Sequence, residues 1–441
     1  MMNLRTALRL EKPACVAFVG AGGKTTAIFR LARELQPPVV VTTTTHIGSW
    51  QIAQGDSWIT DQKLLESDLA GKNDVIVFTA KNIIDNRAIG LNPSEVDDLY
   101  QSVMARGWSL LIESDGARQM PLKAPGPNEP VIPSWVENVV VVAGLSGLDK
   151  PLNDAYIHRS QIFSRISNLP LDVPVGVEGL RKELLDPLGG LKSIPEQARK
   201  IVFLNQADND SLISKASQLS TDLLGAFDAA IIGRLFNESE EEVIVSKEPI
   251  AGIILAAGGS TRLGQPKQEL MWRGKTFLEN VLSTVAQAEL AKVRLILSDN
   301  AYSHYITNYN NSNYQSLINQ TWQFGQSTSI RMGLQSLPAN IGGVIFMLCD
   351  QPQIPSQLIR DLVQRHAETH APIIAPFVGG RRANPVLFDR CTFPDLMALE
   401  GDIGGRALFV KYPIEYIPWN DENILLDVDT AEDYSRLLDI E

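Results

Sequence analysis

The stretch Leu255-Ala-Ala-Gly-Gly-Ser-Thr-Arg-Leu-Gly-Gln-Pro-Lys267 sets Gly258, Gly259 and Gly264 among Ser260, Thr261, Arg262 and Lys267. Glycines let a loop close on a ligand with its backbone N–H groups turned inward, and a concave row of such donors holds anions. Arg262 and Lys267 add fixed positive charge at the same mouth, and Leu255, Ala256 and Ala257 lead the chain into it. That combination is a triphosphate grip. A grip of this kind needs a metal ion, and Asp350 is placed to hold Mg²⁺: it ends the apolar run Gly343–Cys349, with Pro352 stiffening the turn. Asp429, or Asp427, ends another apolar run and is the candidate for a second metal carboxylate.

A similar constellation stands near the N-terminus. Gly20-Ala-Gly-Gly-Lys-Thr-Thr26 follows the apolar run Ala14–Val19 and opens a periodic segment that ends at Pro37-Pro38. Gly20, Gly22 and Gly23 free backbone N–H groups for an anion at a helix N-terminus. Lys24 would reach the outer phosphates, and Thr25 and Thr26 would face phosphate and Mg²⁺. Phe18 stands where the full Walker pattern has its first glycine, so the loop matches the shortened Gly-x-x-Gly-Lys-Thr-Thr form of the Mur-ligase type. Downstream, Trp108–Ile112 runs into Glu113-Ser-Asp115, which predicts a metal carboxylate at Asp115, or at Glu113. Asn205-Gln-Ala-Asp208 has the outline of a guanine-reading motif, but Gln206 replaces its lysine. A tight turn with a solvated lysine would use the same loop residues, so the surrounding elements must decide.

Apolar, β-branched runs alternate with helical periodicity across residues 14–235 and again from Ile250 onward. The alternation predicts an α/β protein of two domains, because 441 residues exceed what one core organises. The expected boundaries are a P-loop-like parallel sheet over 1–240, a linker over 241–249 opening in Glu241-Glu242, and a Rossmann-like sheet over 250–441. Net charge is −12, which argues against a nucleic-acid or anionic-membrane partner. Any polyanion must then be held by local donors, cations or a metal. Three cysteines without metal-ligand spacing, and no apolar run long enough to span a bilayer, fit a cytoplasmic protein.

The ordered motifs of the first half resemble the YqeC family, accessory proteins of selenium-dependent molybdenum hydroxylases. They are Gly20–Thr26, Thr42–His46, Glu113–Arg118, Pro121-Leu-Lys-Ala-Pro125, Glu129-Pro130, His158-Arg159 and Asn205–Asp208. Residues 250–441 resemble the MocA-type molybdenum cofactor cytidylyltransferases through Leu255–Lys267, Cys349-Asp-Gln-Pro352, Asn384-Pro-Val386, Gly401–Arg406 and Asp427–Thr430. Leu-Ala-Ala-Gly and Cys-Asp-Gln-Pro look like the cytidylyl branch, while Ala383 departs from the glycine common before Asn-Pro. The resemblance implies a nucleotide-diphospho-sugar transferase type of sheet and transfer of CMP from CTP to molybdopterin, with Mg²⁺ as cofactor. It also implies a pterin side formed by Asn384, Pro385 and Asp402, and a molybdenum hydroxylase apoenzyme of the xanthine dehydrogenase kind as partner. A sugar- or polyol-phosphate nucleotidyltransferase shares the loop and the strand-end aspartate. A nucleotide-gated cofactor carrier would also account for the Lys24 loop.

Overall fold

The computed structural model describes residues 2–11, 13–63, 74–84, 86–235, 243–258, 265–299, 305 and 313–440. Valine-rich runs at Val39–Thr43 and Asn138–Gly144 are buried along almost their whole length, as strands covered by helices on both faces must be. They belong to a nine-stranded sheet. Its order is Val243–Lys247, Ala229–Gly233, Arg199–Asn205, Asn138–Gly144, Cys15–Gly20, Ser109–Glu113, Val39–Thr43, Val75–Phe78 and Ser57–Ile59. All run parallel to their neighbours except the edge strand Val243–Lys247.

That edge strand corrects one expectation. Residues 243–247 fall in the expected linker 241–249, yet they pair with 230–233 because Val243, Val245 and Ser246 are buried against the sheet. The acidic residues just before them, 236–242, lie outside the described residues. The chain divides into two compact units, Met1–Lys247 and Glu248–Glu441.

In the first unit the strand Cys15–Gly20 lies between Asn138–Gly144 and Ser109–Glu113, with Phe18 opposite Glu113 and Gly20 opposite Val142. The register of the next pair sets Gly144 opposite Asn205. The glycine loop, Glu113 and Asn205 therefore emerge at one edge of the sheet, where parallel α/β sheets present their ligand crevices. The helix Lys24–Glu34 packs Ala27, Ile28, Leu31 and Ala32 inward. Burying an aliphatic side chain of the size of Ile28 or Leu31 contributes about 2 kcal/mol, which anchors the first turn behind the loop.

The second unit holds an eight-stranded sheet. Tyr314–Ile318, Lys292–Leu297, Ile250–Ala256 and Gly343–Leu348 form a parallel block. Val386–Asp389 then runs antiparallel beside Gly343–Leu348 and carries the sheet on to Ile373–Val378. The helix after the first strand, Phe277–Gln287, starts at a Thr276–Glu279 capping box in which each residue's side chain serves the other's backbone N–H. Its buried Phe277, Leu278, Val281, Leu282 and Val285 join the core beneath the parallel block. Among the described residues no helix is long and apolar enough to cross a membrane.

Candidate functional site

In the first unit Gly20, Gly22 and Gly23 all have positive φ, of 94°, 84° and 112°. At Gly22 a Cβ would lie 2.3 Å from the Gly144 backbone, so only glycine lets the loop pass that close to the neighbouring strand end. Asn205 fixes the loop from the far side. Its Nδ2 donates to the Gly22 carbonyl at 2.8 Å, and its Oδ1 accepts from the Leu235 N–H at 3.1 Å. The residue whose position suggested base reading is thus a clamp on the phosphate-type loop.

Lys24 is buried and folds back, donating to the Gly20 carbonyl at 2.6 Å and standing 3.1 Å from Asp115 Oδ1. Asp115, with Glu113 the expected metal carboxylate, lies buried beneath the loop. It is 1% exposed, and its Oδ2 accepts from the Gly20 N–H at 3.0 Å and from Lys123 Nζ at 2.8 Å. Its Oδ1 is paired only electrostatically with Lys24 and is buried without a hydrogen-bond partner among the described residues. The carboxylate that faces the open side is Glu113, which accepts from Thr25 Oγ1 at 3.0 Å while Gln51 Nε2 donates to the same hydroxyl at 2.7 Å. Burial pushes the Glu113 carboxyl up, against the pull of Lys24 and the Thr25 hydrogen bond. A cleft of about 660 Å³ opens here, walled by Gly22–Thr26, His46, Gln51, Glu113, Arg118 and Gln206.

Behind this wall lies a network that the sequence pattern did not single out as functional. Lys123 Nζ bridges Asp115 and Glu129 at 2.8 and 3.0 Å, and Arg159 grips Glu129 with a two-pronged pair at 2.7 and 2.6 Å. Against burial, which raises it, the Arg159 and Lys123 bonds hold Glu129 at about 2. Burial and the neighbouring Arg159 and Lys123 charges bring His158 down to about 4, so it is neutral at pH 7. The signal was the motifs Pro121–Pro125, Glu129-Pro130 and His158-Arg159, but pairing across such distances is not visible along the chain.

In the second unit the strand Ile250–Ala256 delivers Leu255, Ala256, Ala257 and Gly258 to a cleft of about 870 Å³. Gly259, Ser260, Thr261, Arg262 and Gly264 lie outside the described residues. Lys267, expected to face phosphate, instead spans the two carboxylates expected to hold metal. Its Nζ lies 2.9 Å from Asp350 Oδ2 and 2.6 Å from Asp429 Oδ1. Burial disfavours its charge, but Asp350 and Asp429 outweigh that and raise its pKa. The other oxygen of Asp350, Oδ1, is buried and has no hydrogen-bond partner among the described residues. Asp427 stands apart, bonded by Gln351 Nε2 at 2.6 Å and raised to about 6 by burial and the Asp350 charge. Burial pushes the Cys349 thiol up, which leaves no thiolate at this strand end.

The opposite wall carries residues read from sequence only as a loop opening a helix. Trp322, Phe324 and Gly325 face the cleft, and Phe324 is 73% exposed. Gly325 has φ of 107°, and a Cβ there would meet the Gly401 carbonyl carbon at 2.2 Å. That close approach brings Asp402 to the start of the helix Gln326–Gln335, where its Oδ1 accepts from the Gln326 N–H at 3.3 Å. The expected pterin-side trio is therefore split. Asp402 lines the cleft, whereas Asn384 and Pro385 sit between the short strand Arg381–Arg382 and Val386–Asp389, off that wall, because this segment turns to enter the sheet antiparallel.

Two α/β units, each with a cleft at the ends of its parallel strands and charged groups converging there, make this a two-domain α/β protein. Residues 16–161 match the YqeC protein family, and residues 252–415 match the MobA-like NTP transferase domain. The chain is 30% identical over 203 residues to the "Uncharacterized protein YqeC" of Escherichia coli (strain K12), a match covering 44% of this chain and 77% of that protein. It belongs to the YqeC family, with a MobA-like NTP transferase domain fused after it. The two-domain fusion expected from the motifs is borne out. The second unit is 28% identical over 199 residues to "Nicotine blue oxidoreductase" of Paenarthrobacter nicotinovorans, covering 43% of this chain and 96% of that one. It is 25% identical over 197 residues to a "Probable molybdenum cofactor guanylyltransferase" of Bacillus cytotoxicus, with the same 43% and 96% coverage. Among solved structures, that of Rv0371c in complex with manganese from Mycobacterium tuberculosis H37Rv is 28% identical, covering 44% of this chain and all of that one at a TM-score of 0.38.

Proposed function

We propose that the second unit transfers a nucleotidyl group, CMP from CTP, to the phosphomonoester of molybdopterin and releases pyrophosphate. The observation that carries the reading is Lys267 lodged between Asp350 and Asp429, with the second oxygen of Asp350 buried and unpartnered at the floor of the cleft. Two carboxylates sharing one ammonium ion, with a lone pair pair still to satisfy, suit a divalent cation. Mg²⁺ fits this pair, because it binds one or two carboxylates and takes its remaining oxygens from phosphate and water. Asp350 and Asp429 would hold it, and it would neutralise charge on the triphosphate.

The chain's own residues do the positioning. Leu255 to Gly258 line the cleft, and the glycines and Arg262 that follow complete the grip in our reading. Lys267, once its carboxylates have another cation, is the ammonium nearest the phosphates. A phosphomonoester has a second pKa of about 6 and is largely dianionic at neutral pH. Its oxygen can therefore bond to the α-phosphorus without a general base, while the bond to pyrophosphate breaks and the electron pair leaves on pyrophosphate. Exposed Phe324 and half-buried Trp322 beside the start of the helix Gln326–Gln335 offer a face for a planar ring, which favours these residues with Asp402 over Asn384 and Pro385 as the pterin side.

The choice of CTP rests on the Leu-Ala-Ala-Gly and Cys-Asp-Gln-Pro residues, and the guanylyltransferase named among the relatives makes GTP the competitor. Purified protein with Mg²⁺, molybdopterin and either CTP or GTP, followed by pyrophosphate release, tests the reading: turnover faster with CTP is expected, and no turnover with either sinks it. For the first unit we propose a P-loop-like nucleotide site with Lys24 on the phosphates and Thr25 and Glu113, in place of Asp115, beside the metal. Its role would be accessory, in maturing a molybdenum hydroxylase. The intact Lys24–Thr25–Glu113 arrangement also favours a second reading, a nucleotide-gated carrier of the cofactor.

A further inference from the structure

We infer that the cleft of the first unit takes a second ligand beside the nucleotide: a small molecule bearing a phosphate or carboxylate and a planar ring, gripped by Arg87 and Arg118 and stacked on Trp50. The inference rests on the nucleotide reading of Gly20–Thr26 and adds a substrate class to it.

The cleft has two sides. On one, the loop is tied to Asn205 through Gly22, and Gln206 accepts from Ser146 at 2.6 Å. On the other, Gln51 reaches Thr25, and the chain around Gln51 carries Trp50 and His46 to the cleft wall. A nucleotide whose phosphates lie on Lys24 and Thr25 has the Gln206 side for its nucleoside. The Thr25 side is left for something else.

What lines that side is built to stay in place. The strand Arg87–Ile89 pairs antiparallel with His46–Gly48 and puts Arg87 opposite Gly48, two residues from Trp50. Ser49 locks the pair, its N–H donating to the Asn86 carbonyl at 3.1 Å and its Oγ donating to the same carbonyl at 2.8 Å. Trp50 is 60% exposed at the cleft wall. Arg118 lines the same cleft from a loop fastened to the phosphate-type loop itself. The Gly22 N–H donates to the Met120 carbonyl at 3.1 Å, and Lys123 Nζ donates to the Gly116 carbonyl at 2.9 Å. Within that loop Arg118 and Gln119 both hold positive φ, of 49° and 61°. Consecutive left-handed non-glycine residues are disfavoured, and such strain collects at ligand sites.

Arg87 and Arg118 are exposed and line the cleft, and neither side chain has an ion pair or hydrogen bond among the described residues. In a chain with 51 acidic residues against 39 basic ones, two arginines that face one crevice, while its lining carboxylate Glu113 is engaged by Thr25 and Lys24, mark a place for an outside anion. Guanidinium forks match planar or tetrahedral oxyanions two bonds at a time, and the indole face of Trp50 suits a flat ring. A nucleotide site with such a wall serves a second small molecule, which separates it from a switch that responds to nucleotide alone.

The test uses the full chain saturated with Mg²⁺ and AMPPNP or GMPPNP, titrated calorimetrically with inorganic phosphate, phenyl phosphate and benzoate. The expected result is saturable binding of at least one ring-bearing probe, tighter than inorganic phosphate. Preference for phenyl phosphate identifies a phosphate-bearing ligand, and preference for benzoate a carboxylate. Arg87→Ala with Arg118→Ala should weaken that binding at least tenfold and leave nucleotide affinity unchanged. Trp50→Ala should erase only the advantage of the ring. Binding of all three probes that is indifferent to the arginine variants overturns the inference while the nucleotide reading stands. Nucleotide binding that Lys24→Ala leaves untouched removes the nucleotide reading and the inference with it.

Discussion

At the scale of single residues the decisive group is Lys267. One ammonium ion satisfies two carboxylates that arrive from 83 and 162 positions further along the chain, and that convergence is invisible in a linear pattern. The motif suggested that Lys267 was a phosphate ligand and that Asp350 and Asp429 were metal ligands. Residue types and edges were therefore legible, but the resting arrangement was not. If Lys267 stands in for the metal, removing it should act in two directions. Lys267→Ala should bind Mn²⁺ more tightly than the parent in the absence of nucleotide, because the competing cation is gone. Electron paramagnetic resonance of free Mn²⁺ reads this, and equal affinity in the two proteins would refute the stand-in role. The same variant should lose about 10²–10³-fold in kcat/KM for transfer, the usual cost of deleting one preorganised charge from a phosphoryl-type transition state. Asp350→Asn should lose at least as much in kcat while its far-ultraviolet circular dichroism matches the parent. A variant that turns over normally would remove Asp350 from the site.

At the scale of elements, long and strongly patterned segments were legible. Hydrophobic runs marked Cys15–Gly20, Asn138–Gly144 and Gly343–Leu348, and the amphipathic stripe after Gly23 marked the helix Lys24–Glu34. The edge strand Val243–Lys247 was not, since it is short and follows an acidic run that has the composition of a linker. The pairing of Asp115 was not legible for a related reason: its partner Lys123 enters from the small two-stranded pairing of Leu122–Lys123 with Ile157–His158. The helix Val177–Leu185 carries a further consequence. Its inward face is Leu180, Glu183 and Leu184, so a carboxyl occupies a position that helical spacing assigns to an apolar side chain. Burial raises Glu183 to about 8 from 4.5, opposed by Lys123 and assisted by Asp186. A carboxyl whose folded pKa is raised favours the state that keeps the proton. Its contribution to stability is complete below about 4.5 and is lost as the pH climbs through about 8, at up to about 1.4 kcal/mol per pH unit inside that window. Glu183→Gln removes the titration, so its midpoint temperature should gain on that of the parent as the pH rises from 5 to 8.5. Parallel pH profiles for the two proteins would show that Glu183 is charged throughout.

At the scale of the whole molecule the question is whether the two units act as one machine. Each has its own sheet and core, the first organised around Phe18, Ile28 and Phe203 and the second around Phe277, Leu295 and Met347. On the proposed reading both clefts must attract polyanions against a net charge of −12, which places the burden on local groups, Lys24 in one and Lys267 in the other. With no shared residues in the two sites, perturbations should add. Lys24→Ala should abolish nucleotide binding by the first unit and leave kcat/KM for nucleotidyl transfer within about twofold, since distant, independent sites are additive to about 0.5 kcal/mol. Asp350→Asn should stop transfer without weakening nucleotide binding at Lys24. The double variant, measured for both properties, closes the cycle. A Lys24→Ala loss in transfer of more than about fivefold would correspond to a coupling of about 1 kcal/mol or more between the sites. Because linkage is reciprocal, it should then appear as an equal change in nucleotide affinity at Lys24 when the second cleft is filled. That result would turn the fusion from two neighbouring activities into a nucleotide-gated transferase, and it would promote the carrier reading of the first unit over a merely accessory one.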